Sequence, residues 1–243
     1  MPARFWIEDW AAWAPGLETQ SEWREWFAAP HQPVGDQQAD LSAMPAMMRR
    51  RIDPLGRAAL QSAYAVQPQA PCPLVFSSRW GELARSVGML EQLALAQPLS
   101  PTAFSLSVHN AIGALYSIAR QDRSNYLAVS AGEHSAEAGF AEAQGLLADG
   151  AEAVLLVSFD APLPDAYAQF RPVGELLFSH AWACLLRPAD ASTPAALSLT
   201  GVMPGDAAAP ADSLPSDLRT LAFLLGEQAE LRHGPWLWTR HAG

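Results

Sequence analysis

Residues 126–159 constrain the fold of this chain more than any other stretch. Residues 126–130 form an apolar strand candidate, residues 131–134 a tight turn, and residues 135–147 an alanine-rich helix. Residues 154–159 follow as a continuous apolar run, the pattern of a strand covered on both faces. Strand and helix alternating in this way is the signature of an α/β fold. The alternation extends in both directions. Residues 4–8 and 74–77 read as strands, and residues 50–66 as a helix with an apolar stripe at Leu55, Ala58, Ala59, Leu60 and Ala63. Further helices are expected at 80–96, 104–119 and 218–232, and further strands at 174–186, 196–202 and 236–239. Trp6, Trp10 and Trp13 also fit a helical spacing, but the proline at position 15 favours strand then turn. Proline, alanine and aspartate mark residues 203–215 as a loop. With no internal repeat and no boundary ahead of Met203, one domain over residues 1–243 is the expectation.

Composition narrows the function classes. Half of the 243 residues are hydrophobic and 16% are charged, which gives a globular chain able to bury a substantial core. The net charge is −10 and every basic side chain is arginine, a balance that argues against nucleic acid as a partner. The cluster Arg49, Arg50, Arg51 reads as a solvated helix start rather than a phosphate site. Cys72 and Cys184 lie far apart without a CxxC pattern, so neither a metal site nor a disulfide scaffold is expected, and a reducing compartment fits. No secretory signal is visible at the N-terminus, and no apolar run approaches the roughly 18–20 residues that span a bilayer. A cytoplasmic protein without a cofactor is therefore expected.

The turn after residue 130 is where chemistry would sit. Several enzyme folds hold a nucleophile between a strand end and a helix N-terminus. Here the turn offers Gly132, Glu133 and His134, with no cysteine nearby. Glu133 reads as a helix N-terminal acid, a placement favoured by about 0.3–1 kcal/mol, and His134 as a structural or interfacial group. The segment A-V-S-A-G at residues 128–132 is a near miss to the G-x-S-x-G elbow. Asp160 and His180 follow Ser130 in the order used by α/β hydrolases, although no HGG-type oxyanion loop lies upstream. His109 reads as a satisfied polar group on a helix and Cys184 as a buried thiol. Trp6, Trp10, Trp13, Trp23 and Trp26 divide between core and partner surface.

Several segments, in order and spacing, resemble the N-terminal half of the β-ketoacyl synthases of the thiolase-like superfamily. They are RFWIEDWAAWAPG (4–16), RRRIDPLGRAALQSAYA (49–65), PLVFSSRWGEL (73–83), LSPTAFSLSVHNAIGALYSIAR (99–120), VLLVSFD (154–160) and HAWACLLRP (180–188). The likeness covers about residues 1–190, with a short divergent extension after it. It implies a thiolase-like half fold, a mixed central sheet with helices on both faces. Counting forward from Asn110 and back from Ala148-Asp149-Gly150 brings the family's catalytic cysteine to Glu133, within one residue. Gly132, Glu133 or His134 thus occupies a nucleophile position without a nucleophile. Condensation needs a thiolate there. The family's catalytic histidines and lysine belong to a C-terminal half that the roughly fifty residues after the match do not hold.

Ketosynthase-like proteins without the cysteine are chain-length factors, and a short version accompanies aryl polyene biosynthesis. The resemblance therefore implies a non-catalytic subunit in a heterodimer with a full-length ketosynthase. The partner would engage the acyl carrier protein, because an acidic chain suits an acidic carrier poorly. It further implies that the strand at 126–130 pairs across a pseudo-two-fold axis, with the helix at 104–119 near the same interface. Phe104, Val108, Asn110, Tyr126, Val129 and Phe140 are the interface and tunnel candidates. Two readings of other classes stand beside this one, a serine hydrolase using Ser130 and a homodimeric scaffold.

Overall fold

The computed structural model describes residues 3–66, 68–203 and 213–242. Strand β1 (Arg4–Trp13) opens the chain and runs five residues past its expected end at Glu8. It stops where Ala14 and Leu17 exchange two backbone hydrogen bonds of 2.9 Å around Gly16, which holds a left-handed φ of 75°. Helix α1 (Gln20–Ala28) starts with a capping box. The Thr19 hydroxyl accepts from the Glu22 amide, and the Glu22 carboxylate accepts from the Thr19 amide at 2.8 Å. The short α2 (Ala46–Arg49) precedes α3 (Pro54–Ala65), whose first residue is a proline suited to that position. The arginine cluster lies at the end of α2, where Arg49 donates to the Leu41 carbonyl.

Next come β2 (Leu74–Ser77), α4 (Leu83–Ala94), α5 (Pro101–Ser105) and α6 (Ala111–Arg120). The single helix expected over 104–119 is thus broken. Ser105, Ser107 and the N-cap Asn110 fall in and around the break, and side chains of this kind compete for backbone hydrogen bonds. Strand β3 (Tyr126–Val129), α7 (Ser135–Ala148) and β4 (Val154–Asp160) follow close to expectation. After a 3-10 turn at Asp165–Phe170 come β5 (His180–Ala189) and β6 (Leu197–Gly201). The chain then adds α8 (Ser216–Leu225), β7 (Glu230–His233) and β8 (Trp236–Arg240). Most of the loop expected at 203–215 lies outside the described residues.

All eight strands form one sheet in the order β3-β2-β4-β5-β1-β6-β8-β7. The pairs β2–β3 and β2–β4 are parallel and the other pairs antiparallel, which makes the sheet mixed. Alternation along the strands splits the core into two layers. From β4, Val154 and Leu156 face α7 and α8, whereas Leu155, Val157 and Phe159 face α3 and α6. From β5, Trp182 fills the first layer, while the small Ala181 and Ala183 meet Ala58, Ala59 and Ala63 of α3. Gly139 lets α7 approach β2, since a Cβ there would lie 3.2 Å from that of Ser77.

The aromatic set resolves into core at four of its five positions. Trp10, Trp13, Trp23 and Trp26 are buried, and Trp6 is exposed. The C-terminal segment also belongs to the core rather than trailing from it. Leu218, Leu221 and Trp238 are fully buried, and Trp238 packs edge-on against Phe140 with ring centroids 4.8 Å apart.

Candidate functional site

The turn between β3 and α7 is tightly knit. Gly132 takes a φ of 61° with open space where a side chain would lie. The amides of His134 and Ser135 close back onto the carbonyls of Ala131 and Gly132, both at 3.2 Å. Ser135 is buried; its hydroxyl donates to the Gly132 carbonyl at 2.7 Å and accepts from the Ala131 amide at 2.9 Å. No free hydroxyl or thiol therefore stands at the start of α7. Glu133 is exposed, with Oε1 3.5 Å from Nε2 of His134. His134 is the N-cap of α7, and burial, then the neighbouring His233 ring, holds its pKa below the usual histidine value.

Behind His134 lies a cluster that sequence spacing could not reveal. Glu137, on the first turn of α7, is wholly buried. Its Oε1 accepts from Thr220 Oγ1 at 2.6 Å and lies 2.8 Å from His233 Nδ1, 96 residues along the chain. Glu137 Oε2 and His134 Nδ1 are buried without a hydrogen-bond partner. Leaving such a group unpaired costs about 1–3 kcal/mol, more when it is charged. The His134 and His233 rings meet edge to face, with centroids 4.7 Å apart.

A second buried cluster closes the ends of β4 and β5. His180 faces the Phe178 carbonyl through Nδ1 at 3.0 Å and the two Asp217 oxygens through Nε2 at 2.9 and 3.1 Å. Both nitrogens meet acceptors, so both donate and the ring is charged. Burial opposes that charge, but the Asp217 carboxylate outweighs it and the histidine pKa rises. Asp217 also accepts from Trp182 Nε1 at 2.9 Å and Ser158 Oγ at 3.2 Å. Burial works against ionised Asp217, yet the charge and hydrogen bond of His180 bring its pKa below the usual value. Asp160, partly buried at the end of β4, is pushed up to about 7 by burial and then by the Asp217 charge. The amides of Arg79 and Trp80 and the Ser78 hydroxyl donate to it.

This arrangement separates the hydrolase candidates. Asp160 and His180 are register partners on β4 and β5, but both nitrogens of His180 are engaged elsewhere. Ser130 is exposed and donates to the Arg79 carbonyl at 3.3 Å. Ser130, His180 and Asp160 form no triad. His109 is likewise occupied, with Nε2 3.1 Å from the Ser78 carbonyl and its ring over Gly81; burial lowers its pKa. Cys72 and Cys184 are buried free thiols with pKa values raised by burial.

The interface and tunnel candidates divide. Phe104 and Val108 are exposed apolar side chains, Asn110 is exposed, and Tyr126 and Val129 are partly buried on the edge strand β3. Phe140 is not a surface residue. It is fully buried, stacked on Phe5 and Trp182, because α7 turns that position onto the sheet. Sequence reading also missed exposed Leu90, Leu93 and Leu95 in and just after α4, a helix that packs on α5, which carries Phe104. Their signal was the run GMLEQLALA, apolar at more positions than one buried stripe needs.

The β-ketoacyl synthase N-terminal domain model matches residues 23–239. The chain belongs to that family. The match reaches well beyond the stretch up to 190, in keeping with the core role of α8 and β8. Among solved structures, the complex of the ketosynthase ApeO with its chain length factor ApeC from Xenorhabdus doucetiae contains a similar chain. That chain is 29% identical with a TM-score of 0.79, and the match covers 98% of this chain and 99% of that one. A chain of the ishigamide ketosynthase/chain length factor is 17% identical with a TM-score of 0.63, over 82% of this chain and 68% of that one. A chain of the type II polyketide ketosynthase–carrier complex AntDE:AntF is 12% identical with a TM-score of 0.57, over 77% and 64%. These last two show the shared thiolase-like fold. No curated protein matches the sequence. Among the described residues no helix is long and apolar enough to cross a membrane.

Proposed function

We propose that this chain is a chain-length-factor-like subunit that pairs with a full-length ketosynthase and shapes or stabilises its acyl tunnel. The observation that carries this reading is the end-to-end match with a chain of a ketosynthase–chain length factor complex. It is supported by the turn at Gly132, Glu133 and His134, which presents no thiol where the family keeps one. The partner contributes the cysteine, the catalytic histidines and the carrier docking surface. This chain contributes the β3 edge and the apolar side chains of α4–α6, with Phe104, Val108 and Asn110 nearest the acyl chain. The proposal extends to an aryl polyene product class, on the strength of the resemblance read from the sequence.

Co-expression with a ketosynthase, size-exclusion chromatography and intact-mass analysis after acyl loading test it. The expected result is a stable 1:1 complex acylated on the ketosynthase alone. Acyl groups on this chain, or failure to form the complex with any ketosynthase encoded beside it, would overturn the reading.

A further inference from the structure

We propose that His134, Glu137 and His233 form a binding site for one divalent transition-metal ion of the zinc type. One donor atom from each residue can be chosen so that all three lie within 4.8 Å of one another. Two imidazoles and one carboxylate make a borderline-soft set that suits zinc, with one position left open. Magnesium and calcium favour all-oxygen sites and are selected against by the two rings.

The surroundings support a ligand more than a closed hydrogen-bond cluster. Glu137 has no exposed surface, and its Oε2 has no partner; nor does Nδ1 of His134. His134 and Glu137, three apart at the start of α7, share one face of that helix. His233 arrives from the end of β7, and the turn after it is cut back for the His134 ring. A side chain on Gly234, which holds a φ of 54°, would run into that ring. Thr220 fixes the Glu137 carboxylate from behind at 2.6 Å, the kind of outer contact that orients a metal ligand. His134 keeps 19% of its side-chain surface exposed, which gives the ion a way in.

In the hydrogen-bonded arrangement, the proton between His233 Nδ1 and Glu137 Oε1 spans 2.8 Å. The ion takes the place of that proton on Nδ1, with Glu137 free to bind through its unpartnered Oε2, and the proton moves to Nε2 as the Arg219 guanidinium, 3.5 Å away, turns off that nitrogen. Tetrahedral bonds of about 2.0–2.1 Å set ligand atoms about 3.3 Å apart, so the cluster closes on the ion by side-chain turns. The bound ion would tie the C-terminal hairpin to the turn where the family keeps its nucleophile. This inference does not depend on the ketosynthase partnership.

The test is titration of tag-free, chelator-treated protein with zinc chloride against a chromophoric competitor, repeated in excess magnesium chloride. The expected result is one zinc per chain, undisturbed by magnesium and weakened by about 10-fold or more in His134→Ala and His233→Ala. His134 is partly exposed, so His134→Ala carries the test if changes at the buried His233 prevent folding, and circular dichroism confirms that the variant is folded. No stoichiometric zinc, or zinc binding unchanged in folded His134→Ala, would overturn the site.

Discussion

At one edge of the sheet β3 reads Tyr-Leu-Ala-Val, without charge or proline, whereas at the other β7 reads Glu-Leu-Arg-His with Glu230 and Arg232 exposed. Charged side chains are a common way to keep an edge strand from pairing with another chain. β7 carries that protection and β3 does not. The amide of Leu74 donates to the Asn125 carbonyl and that of Ser78 to the Val129 carbonyl, so alternate β3 residues face β2. The backbone groups of Tyr126 and Ala128 therefore point out of the sheet. α6, which packs on β3, exposes Ile118, and the packed pair α4 and α5 with its flanks exposes Leu90, Leu93, Leu95, Phe104 and Val108. An unguarded edge next to apolar side chains is a surface made to be covered. In the proposed partnership the two sheet edges take different tasks, docking at β3 and closure at β7.

The largest effect should come from placing charge on the docking side. Leu93→Asp combined with Phe104→Asp is expected to weaken the ketosynthase complex about 100-fold or more, as loss of central contacts does. The melting transition of the isolated chain should change little, because exposed substitutions usually shift stability by within about 0.5 kcal/mol. Calorimetric titration and thermal melts measure the two effects.

Comparisons of binding need a fold that holds across the assay range, and pH sets that range. Folding raises the Asp160 pKa from 3.8 to about 7, so the folded chain keeps a proton that the unfolded chain has lost. Stability contributed by that proton falls as pH rises above the unfolded value and through about 7. Between pH 5.5 and 7.5 the loss amounts to about 2 kcal/mol. His180, also raised, adds to the loss as pH rises through its own folded value. The lowered Asp217 acts oppositely, losing its contribution as pH falls through its folded value. Urea unfolding at pH 5.5 and 7.5 should show the wild type less stable at the higher pH, and Asp160→Asn should flatten the difference.

A smaller effect isolates the backbone of the docking edge. Ala128→Pro removes an outward N–H while leaving the bonds to β2, and proline is tolerated on edge strands. The complex should weaken about tenfold, near 1.4 kcal/mol, with the fold intact by circular dichroism. An unchanged affinity would break the assignment of β3 as the paired edge. The smallest expected effect lies at the opposite edge. Glu230→Val with Arg232→Val should leave ketosynthase affinity unaltered but increase self-association in analytical ultracentrifugation.

Much of the fold was legible because local signals and burial agreed. β4 is apolar on both faces because helices cover both, and β2 was delimited at both ends. The Thr19 and Glu22 box was readable but was overshadowed by the tryptophans around it. β7 was not readable. Gln228, Glu230, Leu231 and Arg232 favour a helix, so the last helix was expected to reach residue 232. The helix instead ends at Leu225, and Gly234 turns β7 back against β8. Pairing with β8 overrides local preference there. The same long-range step hid the site behind the turn, since only the hairpin brings His233 to Glu137. The turn itself, with Gly132, Glu133 and His134 and no cysteine, was readable from the local sequence, while its likeness to a nucleophile position came from the resemblance.

The most direct measurement is amide hydrogen exchange on the isolated chain and on its complex with the ketosynthase. The account predicts that the outward amides of Tyr126 and Ala128 become strongly protected in the complex while those of β7 exchange as before. Protection confined to β7, with β3 unchanged, would contradict it.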